Sequence, residues 1–405
     1  MRAARWGNVR RHRDRRGLIA AALAATLVLF GGGWPRTDPI AGAAPATWPD
    51  AHEANAAIGR GVEIVTELDA VPGSEFIDVE VAADVAVAGG FRSVRLPVPF
   101  TRYLEPDGTV DPAFLAAVED ELAVLTDHGL TVVVSCICTI ESIDAFHALW
   151  AQLAPALADQ PPSVYFELAN EPVWHGTDSP VIPDFGADNI LHAADWNQAV
   201  ATVLPTVRAS NPERIVVVTG PDLSFPQAVP DLVLPDDDRH LIVTFHQYQP
   251  LQFTHQGAGW LPGSDAWLGT TWSGTAAEID TLAGTMEAAV CWAAQHDRPL
   301  FLGEFGSLAT GDLASRVAWT ETVARMAEAE GISWTYFELS SDGFGIWDRH
   351  VGAWRTELYE ALLPPVDDPM APWAACAGTP TTTAPAGTAS TTPAAAATVT
   401  PTFTG

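Results

Sequence analysis

The chain has 405 residues and carries 50 acidic side chains against 20 basic ones, all of them arginine, for a net charge of −30. That balance excludes nucleic-acid backbones and anionic membrane surfaces as partners, and it suits a solvated acidic surface and a neutral substrate. With 48% of residues apolar, the chain can bury one large α/β domain of about 250 residues plus appendages.

Residues 1–43 read as an export signal. Arg2 to Arg16 is basic, Leu18–Phe30 is apolar, and Ala41-Gly42-Ala43 offers a small-residue cleavage site. The apolar run is short of the ~20 residues that span a bilayer. Secretion with no membrane contact after cleavage is expected, an uncleaved anchor being the alternative. Thr47–Ala57 leads into a first strand, Gly61–Val65. A helix follows over Phe76–Gly90, with Phe76, Val79, Ala83 and Val87 on one face. Phe91–Pro97 is a second strand. Asp111-Pro112 then caps and starts a helix that Gly129 ends. Strand and helix alternate from there. The strands are Thr131–Ile137, Val164–Ala169, Arg214–Thr219, Leu241–His246, Leu300–Gly303 and Ile332–Phe337. The helices are Ile143–Leu157, one near His192–Ala209, Gly274–His296, Asp312–Ala329 and one near Ala353–Leu363.

Eight apolar strands alternating with helices give the (β/α)8 count of a TIM barrel, expected as a single domain over 44–376. A doubly wound open sheet is the competitor, but no glycine-rich phosphate turn follows the first strand. Beyond Ala377 the composition falls to Thr, Pro, Ala and Gly, which buries no core and predicts a disordered tail over 377–405. The four cysteines, 136, 138, 291 and 376, permit two disulfides in three connectivities, and free thiols in a buried strand are an equal expectation for the first two.

Chemistry concentrates at strand ends. In SVYFELANEP a buried run stops at Asn170-Glu171-Pro172, because proline cannot donate to a sheet ladder. In PLFLGEFG a second apolar strand stops at Gly303-Glu304. Two carboxylates at the carboxyl ends of two barrel strands suit glycoside cleavage, one as proton donor and one as nucleophile or base. Taken alone, Asn170-Glu171-Pro172 is an ordinary strand-ending turn, and Glu167, four residues earlier, reads as a buried paired carboxylate. Trp174, Trp260, Trp267 and Trp272 lie in loops, where aromatics stack on sugars or simply pack. His175, His192 and His255 lack metal-ligand spacing, so neither metal nor cofactor is expected.

The ordered set VRLP, FELANEP, HQYQP with FTHQGA, GEFG and GFGIWD resembles glycoside hydrolase family 5, from about Arg60 to Leu363. The resemblance implies a retaining hydrolase of a β-linked glucan or related polysaccharide, acting as a monomer. It implies Glu171 as acid/base and Glu304 as nucleophile. Asn170 would meet the sugar 2-hydroxyl, Arg95 would bond the nucleophile, and His246 and Tyr248 would flank the carboxylates. Trp260 and Phe337 would contact substrate. Two positions depart from the family pattern: Ile137 or a neighbour stands for a third-strand histidine, and Phe337 for an eighth-strand tryptophan. A carbohydrate-binding protein with little turnover is the rival expectation.

Overall fold

A computed structural model describes residues 48–69, 76–174, 189–363 and 370–376. The expected leader over 1–43, the tail over 377–405 and His175 lie outside the described residues. Eight parallel strands close into a barrel in sequential order: β1 (Arg60–Glu63), β2 (Ser93–Val98), β3 (Thr131–Cys136), β4 (Val164–Glu167), β5 (Val216–Thr219), β6 (Leu241–Gln247), β7 (Leu300–Phe305) and β8 (Ser333–Tyr336). Helix α1 (Ala51–Ile58) precedes β1 and packs beneath the barrel, its Ala54 and Ile58 joining the interior cluster. The outer layer comprises α2 (Val79–Ala88), α3 (Pro112–Asp127), α4 (Ile143–Ala156), α5 (Ala193–Ser210), α6 (Ala276–His296), α7 (Leu313–Ala329) and α8 (Thr356–Leu362). A 3-10 turn, Pro226–Asp231, takes the place of a helix between β5 and β6. No helix among the described residues is long and apolar enough to cross a membrane.

Side-chain alternation sorts each strand into two layers. Val94, Leu96 and Val98 of β2, and Val132 and Val134 of β3, pack outward under the helices. Val133, Tyr165, Ile215, Val217, Ile242 and Phe301 fill the barrel interior. Arg214 closes the base. Its guanidinium donates to the carbonyls of Ala158, Gln160, Pro161 and Val164, and lies 4.5 Å from the Trp48 ring. Helix α3 starts on the cap read from the sequence. Asp111 accepts from the Ala113 amide with Pro112 in the first turn, and Thr275 forms a capping box with Glu278.

Several elements differ from the sequence reading. Asp78 caps α2, so Phe76 lies outside it. The buried face is Ala82, Ala83, Val85 and Ala86, while Phe76 and Val87 are exposed. Apolar residues surround that helix almost completely, so their spacing does not single out a face. Strand β4 stops at Glu167, and Glu171 lies on irregular backbone beyond it. That backbone is tied down at the Leu168 amide by the Val217 carbonyl and at the Asn170 amide by the Cys136 carbonyl. Glu171 is thus not on a regular strand face shared with Glu167. The cysteines are paired Cys136–Cys138 and Cys291–Cys376, and none is free. The second bridge fastens the Met370–Cys376 segment to α6.

Candidate active site

Arg95, Asn170, Glu171, His246, Tyr248, Trp260, Glu304 and Phe337 lie at or near the carboxyl-terminal mouth of the barrel. Arg95 is the centre of the arrangement and is wholly buried. It points inward from β2, because Val94 and Leu96 on either side face the helices. Its Nε and Nη2 grip Glu167 at 2.7 and 2.6 Å in a two-pronged pair. Nη2 also donates to Ser135 Oγ at 2.9 Å and to Asn170 Oδ1 at 2.5 Å. Nη1 donates to Glu304 Oε1 at 2.6 Å and to Glu63 Oε2 at 2.5 Å. Arg95 therefore both neutralises Glu167 and reaches Glu304.

Glu304 reaches the mouth through an irregularity. Leu300 and Leu302 of β7 face the helix layer, so strict alternation would send Glu304 outward as well. Instead the β6–β7 register shifts after Phe245, pairing His246 with Glu304 and leaving Gly303 as the extra residue. Phe305 then faces outward against Trp319 and Trp334, and Glu304 turns in. Glycine is needed at the bulge, because a Cβ there would come within 2.6 Å of Thr244 Oγ1.

The two carboxyls are opposed across the mouth. His246 Nδ1 lies 2.9 Å from Glu171 Oε1 and 3.6 Å from Glu304 Oε2. The Tyr248 hydroxyl donates to Glu304 Oε2 at 2.9 Å. One oxygen of each glutamate and one His246 ring nitrogen all lie within 4.8 Å of one another, closer than the about 6.5–9.5 Å between carboxyl groups that leaves room for an attacking water and in keeping with the about 5–5.5 Å of direct attack. Among the described residues this is the group whose donors could grip a metal ion, although the sequence reading weighed other histidines for that task.

Electrostatics separates the two groups. Burial pushes the Glu171 carboxyl above the ordinary range, with the nearby Glu304 charge adding to the rise and His246 opposing it. Burial also pushes Glu304 upward, but the charges of His246 and Arg95 and the hydrogen bonds from Tyr248 and Arg95 outweigh it, and the net direction is down. Such an arrangement can hold a proton on Glu171 while Glu304 stays ionised.

An aromatic wall borders this pair. Tyr248 meets His255 edge-on at 4.9 Å, and Phe337 meets Phe344 at 5.0 Å. Trp260 lies 6.4 Å from Phe344 and is 54% exposed, presenting an open ring beside the half-buried Phe337. Trp272, by contrast, is buried packing. Ile137 stands just past β3, its amide bonded to the Val98 carbonyl, between the bridged Cys136 and Cys138. Sequence reasoning gave no role to Glu63 or Phe344. A lone carboxylate inside the apolar run GVEIV, opposite Arg95 in register, was the available signal for Glu63.

A model of the cellulase family (glycosyl hydrolase family 5) matches residues 60–343. The chain belongs to glycosyl hydrolase family 5. Among solved structures, this family 5 chain is similar to an endoglucanase at 33% identity and a TM-score of 0.69, covering 77% of this chain and 99% of that one. It is also similar to Thermotoga maritima Cel5A in complex with cellobiose, at 30% identity and a TM-score of 0.68, covering 78% and 100%. Among curated relatives, endoglucanase H of Acetivibrio thermocellus is 27% identical over 293 residues, 69% of this chain and 29% of the relative. The chain spans about a third of the length of the first curated relatives it matches, 29% of that protein and 35% of the cellulase/esterase CelE from the same organism.

Proposed function

We propose that this family 5 chain is an exported retaining glycoside hydrolase that cleaves a β-linked glucan or related polysaccharide by double displacement. The observation that carries the reading is the opposed pair Glu171 and Glu304, with oxygens within 4.8 Å and proton affinities driven in opposite directions. In the first step ionised Glu304 attacks the anomeric carbon while Glu171 gives its proton to the departing glycosidic oxygen. In the second, Glu171, now ionised, takes a proton from water as that water displaces Glu304 from the glycosyl ester.

The surroundings fit these duties. Arg95 and Tyr248 each hold one oxygen of Glu304, which fixes the nucleophile before substrate arrives. Asn170 turns its oxygen to Arg95, leaving its amide nitrogen to donate to a sugar 2-hydroxyl. Phe337 and Trp260 supply faces on which sugar rings stack. The substrate class draws support from Thermotoga maritima Cel5A, solved with cellobiose and with mannotriose. Export rests on the basic, apolar and small-residue succession within 1–43, and protein recovered from culture medium should begin near Ala44 on amino-terminal sequencing. The working unit is the domain over 44–376 as a monomer, and the tail is dispensable.

Paired variants test the mechanism. Glu304→Gln abolishes turnover on every substrate, since no glycosyl ester forms. Glu171→Ala loses far more activity on natural glycans than on an aryl glycoside whose leaving group needs no proton, the difference being about 10²–10⁴-fold. Added azide then enters the vacated space and releases a β-azido sugar. Substantial activity in Glu304→Gln, or a product of inverted configuration from the parent, would refute the proposal. Oligosaccharide binding without product from any glycan would favour the binding-protein alternative.

A further inference from the structure

Glu63 ends β1 facing inward, in register with Arg95, and is 2% exposed. Its Oε2 accepts from Arg95 Nη1, the nitrogen that also serves Glu304 Oε1. Both hydrogens of that nitrogen are therefore committed, one to each glutamate. The opposite edge of the guanidinium holds Glu167, Ser135 and Asn170. One permanent cation thus faces three carboxyls closed off from water.

The groups around Glu63 come from several elements. Arg95 faces it from β2 and Glu304 from β7, and Glu338 acts on it from just beyond β8. The Tyr248 hydroxyl beyond β6 also lies close enough to be coupled to it. Among the described residues the other basic group paired in the mouth is His246, which serves Glu171 and Glu304 and not Glu63. Three ionised carboxylates around one guanidinium would leave a buried charge without compensation, so one of them keeps a proton. Glu167 takes two Arg95 nitrogens, as an ionised carboxylate does. Glu304 draws on Arg95, Tyr248 and the nearby His246. Glu63 has a single donor, Nη1 of Arg95.

We propose that Glu63 is a positioning residue that stays protonated across the working pH range, occupying one hydrogen of Arg95 Nη1 so that the guanidinium is fixed while its charge is left to Glu304. Burial pushes this carboxyl well above the ordinary range, Arg95 opposing the rise and Glu304 and Glu338 adding to it. The kinetic consequence rests on the double-displacement reading, but the protonation does not.

Infrared difference spectra and kinetics test the two parts separately. At neutral pH, the parent minus Glu63→Gln spectrum should show the loss of a protonated-carboxyl C=O stretch. Loss of a carboxylate stretch instead overturns the proposal, whatever the enzyme hydrolyses. On an aryl glycoside, Glu63→Ala leaves one Nη1 hydrogen unpaired and lowers kcat about tenfold with KM little changed. Glu63→Gln, shaped like the neutral acid, restores most of that loss. The acidic limb of kcat/KM, which reports Glu304, should move less than about 0.3 pH unit in Glu63→Gln, whereas removing a true negative charge would drop it by about one unit. If Glu304→Gln proves active, the kinetic arm falls with the mechanism while the infrared result still decides the protonation. If Glu63→Ala does not fold, Glu63→Gln supplies both the spectrum and the limb.

Discussion

Replacing Arg95 by Met keeps much of the buried stem and removes the guanidinium from Glu63, Glu167, Glu304, Asn170 and Ser135. With Glu63 already neutral, Glu167 and Glu304 are left without their shared cation. Glu304 can relieve its burial by taking up a proton. Holding a proton at pH 7 against an unfolded-state pKa near 4.3 costs about 3–4 kcal/mol per group. Single broken buried pairs typically cost about 3–5 kcal/mol, so about 3–5 kcal/mol is expected. The sign with pH follows from the parent. There Glu304 is held below its ordinary pKa, so it contributes stability above the unfolded pKa that is lost as pH falls through the folded value. In Arg95→Met the same group, its burial opposed only by His246 and Tyr248, becomes a penalty at neutral pH that vanishes once the unfolded chain is protonated too. The gap between parent and variant should therefore be widest near neutrality and shrink to about 1–2 kcal/mol near pH 4. Scanning calorimetry reads this directly. At roughly 2 °C per kcal/mol for a large domain, Tm should fall on the order of 10 °C at pH 7. A gap equal at both pH values, or below about 2 °C at neutrality, would refute the reasoning.

His246→Ala should move the whole activity bell to higher pH, since burial raises both carboxyls and His246 draws both down. Kinetics of kcat/KM against pH check this, and an unmoved bell would remove His246 from the electrostatic account. Away from the mouth, burial lifts Glu121 to about 8, with a Thr66 hydrogen bond only partly opposing it. Its folded pKa stands above the unfolded one, so the parent loses stability as pH rises from the unfolded value towards 8. Glu121→Gln should be more stable by on the order of 2 kcal/mol at pH 8 and unchanged at pH 4, in thermal melts at the two pH values. An equal effect at both would point to packing instead of charge.

The barrel was legible because its strands are apolar on both faces, and a run such as RIVVVT has few other uses. The site was legible where a charge interrupts such a run. Arg95 in VRLP and Glu304 in LGEFG are expensive inside a sheet unless something uses them. What stayed hidden depended on three-dimensional company. Glu63 is as conspicuous in its strand as Arg95, but only the β1–β2 register brings the two together. The cysteine pairing needed the proximity of α6 to the Met370–Cys376 segment, which no spacing encodes. The aromatic wall was half visible: the sequence offers Trp260 and Phe337, yet Phe344, which stands between them, belongs to a loop after the last strand.

The additional residue in β7 has a consequence for anyone who would rebuild this barrel. Pairing Gly303 regularly with His246 would even out the ladder with β6, which is what idealised strand geometry prescribes. That regular pairing, with the residue kept, would swing Glu304 out beneath the helices and bring Phe305 into the mouth. The most regular pairing of this strand is thus the one that cannot hold Glu304 in the mouth. A redesign that keeps every residue but is guided by backbone regularity alone would arrive at a well-made barrel with Glu304 on the wrong side of the wall.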